Sequence, residues 1–300
     1  MNHKLSVITP SFNQGRFIER TIESVLSQQF SGSMEYLVMD GGSKDETVEI
    51  LGRYGSPLTW ISEKDDGQAH AVNKGLARST GDILGWLNSD DIYYPGAIAA
   101  VCDAFDADPS LDVVYGEANH IDEDDRVIEP YPTEDPDLSR LINTCYICQP
   151  AVFMRKSVVE RFGPLDAKLQ YCMDYEYWVR LTAGGAKFAR LHRLVAGSRL
   201  YSQNKTLGSR VKVHAEINDM LRHTTGLVPD RWLFNYAHIL LEEGGVPRSD
   251  GVRFPLFVAF LSIYNALKWN HRVSLPMAKM ASQWAGVSAR EFSKRMVGAR

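Results

Sequence analysis

Three clusters of polar residues stand directly behind short apolar runs, and each holds groups able to meet an anion, a cation or a proton. Pro10-Ser11-Phe12-Asn13 follows Leu5–Thr9, Asp40-Gly41-Gly42-Ser43 follows Glu35–Met39, and Asn88-Ser89-Asp90-Asp91 follows Ile83–Leu87. Adjacent carboxylates at the end of an apolar run, such as Asp90 and Asp91, are costly unless something positive sits beside them. A hard divalent cation bridging diphosphate oxygens would supply that charge. Asp40 can accept a hydrogen bond from a base N–H, and Gly41 and Gly42 allow a ligand close to the backbone. Ser11 and Asn13 precede a helical pattern, so they either cap it or touch a nucleotide near its N-terminus. Asp174 opens a later helix, as a cap or, in a cleft, as a base for an acceptor hydroxyl. Taken singly, each cluster also has a plainer reading as a solvated turn or a cap.

The elements that must position these clusters alternate along the first hundred residues. Strands are expected at Leu5–Thr9, Glu35–Met39, Leu58–Ser62, Ile83–Leu87 and Val113–Tyr115. Helices are expected at Arg16–Gln29, Asp45–Tyr54, Gln68–Ser79 and Pro95–Phe105. Strands separated by helices of this length predict βαβ units and a mostly parallel sheet. Ligands of such sheets bind outside the carboxyl ends of the strands, where the three polar clusters fall. Beyond Glu117 the pattern loosens. Asp122–Asp125 reads as an acidic turn and Pro130, Pro132 and Pro136 as a loop. Gln149–Phe153 reads as a strand, Ser157–Phe162 and Asp174–Ala183 as helices, Phe188–Tyr201 as strand and loop, and Ser209–His223 as a long polar helix.

The chain has 300 residues, 44% hydrophobic and 23% charged, with a net charge of −4. That composition is globular and gives no general attraction for nucleic acid. The segment from Val252 to Arg300 holds eight basic residues and one acid, so it carries +7 and the remainder −11. Such asymmetry suggests a basic tail that meets an anionic surface. Within it, Phe254–Leu267 is an apolar stretch of 14 residues, short of the roughly 18 needed to span a bilayer and suited to a core or interfacial helix. Cys102, Cys145, Cys148 and Cys172 lack a second ligand pair at zinc-site spacing and read as small buried side chains in a reducing cytosol. The N-terminus has no leader pattern, so a cytoplasmic protein is expected. There is no G-x-G-x-x-G behind the first strand and no G-x-x-x-x-G-K-[ST], which argues against dinucleotide oxidoreductases and P-loop phosphotransferases.

Taken in order, the motifs resemble those of family 2 glycosyltransferases with the GT-A fold. The resemblance is carried by Val7-Ile8-Thr9-Pro10-Ser11-Phe12-Asn13, Val38-Met39-Asp40-Gly41-Gly42-Ser43-Lys44-Asp45, Asp65-Asp66-Gly67-Gln68 with Asn73-Lys74-Gly75, Gly81-Asp82, Leu87-Asn88-Ser89-Asp90-Asp91, and Met173-Asp174-Tyr175-Glu176-Tyr177-Trp178. It implies an α/β, Rossmann-like GT-A domain over residues 1–225 and a basic, helical C-terminal extension over residues 226–300. It also implies an inverting transfer of a sugar from a nucleotide-sugar donor, a UDP-sugar being favoured. The acceptor would be a saccharide or lipid-linked saccharide of a bacterial surface polysaccharide.

The same resemblance implies residue roles. Asp40 looks like the residue that reads the base, with Pro10, Ser11 and Asn13 nearby. Asp65, Lys74, Asn88 and Ser89 line the nucleotide region. Asp90, with Asp91 beside it, looks like the ligand of Mn2+ or Mg2+, and Asp174 looks like the general base. Asn88 replaces the first acid of the D-x-D-type motif, and an amide can still bond a ribose hydroxyl. Met173 stands where many relatives carry an acid. Arg199-Leu200-Tyr201 stands where relatives often have Arg-x-His, so no late histidine role is implied. The basic extension suggests peripheral contact with anionic membrane at its cytoplasmic face. Two other readings are a nucleotide-sugar binder without catalysis and a sugar nucleotidyltransferase. The first has no use for Asp174, and the second needs a Gly-rich basic loop that Pro10–Gly15 lacks.

Overall fold

The computed structural model describes residues 3–202, 204 and 207–298. It divides into two compact units, Met1–Asn204 and Lys205–Arg300. The bound expected at 225 falls at the end of the first long helix of the second unit. The helix at Arg210–Thr225 groups with the second unit because its apolar side packs on the helix that follows.

The first unit runs β1 (His3–Ser11), α1 (Gly15–Leu26), β2 (Gly32–Asp40), α2 (Thr47–Leu51), β3 (Leu58–Ser62), α3 (Gln68–Arg78), β4 (Ile83–Trp86), β5 (Ile92–Tyr93), α4 (Ala97–Ala107), β6 (Val113–Ile121), β7 (Val127–Pro130), α5 (Leu138–Leu141), β8 (Val152–Arg155), α6 (Lys156–Phe162), α7 (Met173–Ala183) and β9 (Phe188–Arg199). The strands form one nine-stranded sheet in the order β3-β2-β1-β4-β8-β6-β9-β5, with β7 on β6. Its first half is the expected parallel array, β3-β2-β1-β4. Beyond β4 the sheet is mixed. β8 is antiparallel to both β4 and β6, β6 and β9 are parallel, and β5 and β7 pair antiparallel with β9 and β6. Gln149–Ala151, expected as the start of a strand, is a 3-10 turn, and β8 begins one residue later at Val152. Pro150 within it has no N–H to give a ladder.

The central parallel strands β1 and β4 are buried on both faces, as their apolar runs require. Ile18, Ile22 and Val25 of α1 enter the core with Leu5, Val7, Tyr36, Val38, Ile83 and Leu87 of the sheet and the chain leaving it. On the other face α3 lies close to β1. A Cβ at Gly75 would sit 2.3 Å from Cγ2 of Ile8. Helix and strand touch there only because the side chain is absent, and this fixes the N-terminus of α3 relative to the sheet.

The second unit contains α8 (Arg210–Thr225), α9 (Asp230–Glu243), α10 (Arg253–Asn270) and α11 (Leu275–Gly298). Leu241, Phe254 and Val258 form a core joined by Phe234, Val246, Leu261 and Trp284. Polar clamps fix the turns. The Asn270 amide bonds both backbone groups of Val228 (2.9 and 2.8 Å), and Trp269 Nε1 donates to Asp219 at 2.7 Å. Among the described residues no helix is long and apolar enough to cross a membrane.

Gly75→Ala sets two effects against each other. Helix propensity favours the alanine by about 0.5–1 kcal/mol, while overpacking against a β-branched side chain costs about 1–3 kcal/mol. We expect a net loss near 1 kcal/mol in a urea unfolding midpoint. A gain would show that α3 is free to move off β1.

Candidate active site

The loops behind β1 and β2 are built as one piece. Ser11 and Asp40 are register partners at the ends of the two strands. Asp40 is buried, and its Oδ2 accepts from Gly42 N (3.0 Å), Ser43 N (2.9 Å) and Ser62 Oγ (2.6 Å), while Oδ1 accepts from Ser43 Oγ. The solvated-turn alternative is thereby excluded. The carboxylate closes its own loop, and Oδ1, with a single donor on it, keeps capacity for another. The buried Ser11 hydroxyl has no partner among the described residues. An unmet buried hydroxyl costs about 1–3 kcal/mol, a cost that a ligand atom bonded to it would recover.

Asn13 does not cap α1. It adopts a left-handed backbone (φ 52°), its N–H donates to Ser43 Oγ (2.7 Å), and its side-chain oxygen accepts from Lys44 N (2.8 Å). Asp45 accepts from Gly15 N (2.9 Å), completing the stitch between the loops. Pro10 is buried at the end of β1.

The third loop closes on the second. Asp65 accepts from Gly67 N (2.9 Å), and a Cβ at Gly41 would come within 2.8 Å of Asp65 Oδ2. Lys74, expected near the nucleotide, pairs with Glu63 at 2.9 Å. In this arrangement it braces the loop after β3.

At the end of β4 the acidic cluster is braced from every side. Asn88, expected to reach a ribose hydroxyl, has its amide committed. Its oxygen accepts from Gln68 Nε2 (2.8 Å) and Trp86 Nε1 (2.9 Å), and its nitrogen donates to Gln149 Oε1 (2.7 Å) and Asp91 (3.3 Å). Thr21 Oγ1 donates to the carbonyls of Ser89 (3.0 Å) and Asp91 (2.8 Å). Neither acid caps α4, whose N-cap is Gly96.

Sequence reasoning noted Arg199 only for the histidine missing two residues on, and missed that it holds this cluster. Arg199, 1% exposed, donates through Nε to the Asp90 carbonyl (2.6 Å), through Nη1 to the Asp122 carbonyl (2.6 Å), and through its backbone N–H to Asp91 Oδ1 (2.8 Å). Its guanidinium also pairs with Asp125 and lies 4.8 Å from the Phe17 ring centroid. The available signal was a charged residue closing a strand that otherwise runs Val195-Ala196-Gly197. Two residues on, the Tyr201 hydroxyl donates to Asp90 Oδ2 at 2.9 Å, and its ring packs 5.0 Å from Phe17.

Burial pushes the Asp90 carboxyl above the usual range, against the Tyr201 bond and the Arg199 charge, and pushes Asp91 well above it, with the Asp90 charge adding to the effect. Both oxygens of Asp91 accept hydrogen bonds, from Asn88 and from the Arg199 backbone N–H. On the Asp90 carboxylate, the one side-chain donor among the described residues is Tyr201.

Asp174 lies half-buried in the first turn of α7, whose start is anchored by Tyr175 donating to the Leu141 carbonyl at 2.6 Å. The Cys148 thiol is pushed well up by burial and then by the charges of both Asp91 and Asp174, while Cys145 is raised by burial and Asp174. Asp91 and Asp174 thus both lie near enough to one buried thiol to raise it. The four cysteines are free. A shallow depression of about 360 Å³ opens beside Tyr201, but its lining of Asp122, Glu123 and Asp124 has the wrong sign for a diphosphate.

Among the described residues no three His, Cys, Asp or Glu side chains gather to hold a metal by themselves. Mg2+-type ions are usually held by one or two carboxylates together with substrate phosphates and water. Asp90, a raised carboxyl at the lip of a braced loop, fits a cation that arrives with a diphosphate.

The chain belongs to glycosyl transferase family 2, whose family model matches residues 6–163. A Rickettsia prowazekii protein described as an uncharacterized glycosyltransferase is 27% identical over 215 residues, 67% of this chain and 65% of that protein, so the match spans just under two thirds of the relative. A Mycobacterium bovis protein named as a PGL/p-HBAD biosynthesis glycosyltransferase is 29% identical over 64% of this chain and 75% of its own length. Among solved structures, S. aureus TarS 1-349 in complex with UDP-GlcNAc matches with a TM-score of 0.62 at 16% identity, over 97% of this chain and 92% of that one. Mannosyltransferase PcManGT from Pyrobaculum calidifontis, in complex with GDP-Man and Mn2+, matches at 0.59 and 16%, over 96% and 85%. These likenesses establish the GT-A fold.

The raised Asp90 carboxyl gives a signed pH prediction. The folded state holds that proton more tightly than the unfolded chain, so stability falls as pH rises from the unfolded value, about 3.9, through the raised folded one. Without divalent metal, Asp90→Asn should melt higher than the parent at pH 7, by about 1.4 kcal/mol for each unit of upward shift. The gap should close as pH falls to 4. Melting curves in EDTA across this range check it, and an Asp90→Asn protein less stable at pH 7 would contradict the assigned direction.

Proposed function

We propose that the protein transfers one sugar from a nucleotide-diphosphate sugar, a UDP-sugar being favoured, to an acceptor hydroxyl in a single inverting displacement. The observation that carries the reading is the braced acid pair behind β4, in which Asp90 has a single side-chain donor on it among the described residues, together with the half-buried Asp174 at the start of α7. Family membership supports the reaction class. The nucleotide sugars named with TarS and PcManGT support the donor class.

In this reading Asp40 Oδ1 and the unmet Ser11 hydroxyl take the nucleoside, and Asp65 holds the wall beside Gly41. Asp90 would hold Mn2+ or Mg2+ with the donor, while Asn88, Asp91 and Arg199 keep Asp90 in place. The chemistry such a cation supplies when bound is neutralisation of the departing diphosphate. Asp174 takes the proton of the acceptor hydroxyl as it attacks the anomeric carbon from the face opposite the leaving group. We further propose that the acceptor is a lipid-linked saccharide of a surface polysaccharide and that the protein works at the cytoplasmic face of the membrane.

The test is release of nucleoside diphosphate from a panel of UDP-, dTDP- and GDP-sugars with lipid-linked saccharide acceptors. Asp174→Asn should lower transfer by at least about 100-fold while leaving the affinity for UDP within about twofold. Undiminished transfer by the variant would remove Asp174 from the chemistry. Binding without turnover by the parent on every donor would favour the non-catalytic alternative.

A further inference from the structure

α10 is apolar on both of its faces, yet only one of them is covered. Phe254, Val258, Ala259, Ala266 and Trp269 are buried. On the opposite face Leu256, Phe257, Phe260, Tyr264 and Leu267 are exposed, Phe260 by 67%. At 100° per residue these five fall within one stripe. The other exposed residues of the helix are Arg253 and Lys268, and both lie on the same stripe, one at each end. They are 15 residues apart, about 22 Å along the axis.

A contiguous exposed apolar face marks an interaction surface. Its occupant is indicated by the charges. No acid lies on the stripe, and Arg272 is exposed one turn beyond Lys268. Asp250 is shared by Arg253 and Arg295, so that end keeps a net positive charge. A second copy of the chain packed antiparallel on this face would set Arg253 against Lys268 and repel. An anionic lipid surface meets both demands, since apolar side chains enter the acyl boundary while the terminal cations meet headgroup phosphates. The buried face of the helix is committed to α9 and α11, which suits a helix that would lie along such a surface.

We propose that the exposed face of α10 docks the protein onto an anionic membrane surface. This names the partner behind the lipid-linked acceptor proposed above and rests on that reading for its purpose, though not for its test.

The experiment is co-sedimentation of the full chain with vesicles of phosphatidylcholine and phosphatidylglycerol, and of phosphatidylcholine alone, at low and high salt. The parent should pellet with the anionic vesicles at low salt and be released by salt. Phe260→Glu should lower vesicle affinity by roughly tenfold or more. Leu267→Ser, also at an exposed position, is the second variant should the first fold poorly. Failure of the parent to pellet at low salt, or equal binding by well-folded Phe260→Glu, would overturn the proposal. So would a dimer in light scattering that Phe260→Glu dissociates without any vesicle binding. UDP affinity measured on the same proteins separates the two readings. Intact UDP binding without vesicle binding sinks only the membrane surface, and the converse sinks only the donor site.

Discussion

The site depends on one buried electrostatic arrangement, two adjacent carboxyls at the end of a central strand with a single guanidinium beneath them. Leaving Asp90 and Asp91 in a dry place without a counter-charge would cost several kcal/mol. Arg199 reduces that cost with its charge and its Nε bond to the Asp90 carbonyl, and its backbone N–H donates to Asp91. The compensation is incomplete, because burial still raises both carboxyls. In the proposed reading, a loop held short of full neutralisation would accept a ligand that brings positive charge with it. Asn88, Gln149, Gln68 and Thr21 spend their hydrogen bonds keeping the loop in that state.

The same division of labour recurs around the strand ends. Most polar groups singled out in the motifs bond to one another. Asn13 stitches two loops, Asp65 props a third, and Lys74 is paired with Glu63. Among the described residues, room for a further partner is small and local: the Ser11 hydroxyl, one oxygen of Asp40, and the Asp90 carboxyl beyond its Tyr201 bond. Side chains fixed by their neighbours leave less to be ordered when a ligand binds, which suits a site built from loops.

The parallel half of the fold was legible because buried parallel strands write themselves as continuous apolar runs, and β1 to β4 with α1 and α3 fall close to their expected bounds. β5 and β7 were not legible. Two residues at Ile92–Tyr93 give no period, and β7 ends at a proline in a stretch that reads as loop. Asp40, Asp90 and Asp174 could be picked out because carboxylates stand out behind apolar runs and at helix starts. Whether each binds a ligand or braces a loop could not be read, since that turns on partners far away in sequence. Asp91 meets Arg199 across 108 positions, and Asn88 meets Gln149 across 61. For the same reason the apolar stretch at Phe254–Leu267 left core and interfacial helix both open. Only its packing on α9 and α11 separates the two faces.

The central claim is that Asp90 anchors a diphosphate through a divalent cation. Calorimetric titration of UDP into the parent and into Asp90→Asn, each with Mn2+ and with EDTA, tests it most directly. The account predicts binding to the parent that is lost on chelation, and weak binding to Asp90→Asn that Mn2+ does not improve. Equal affinity of the parent for UDP in Mn2+ and in EDTA, or Mn2+-enhanced binding retained by Asp90→Asn, would contradict it.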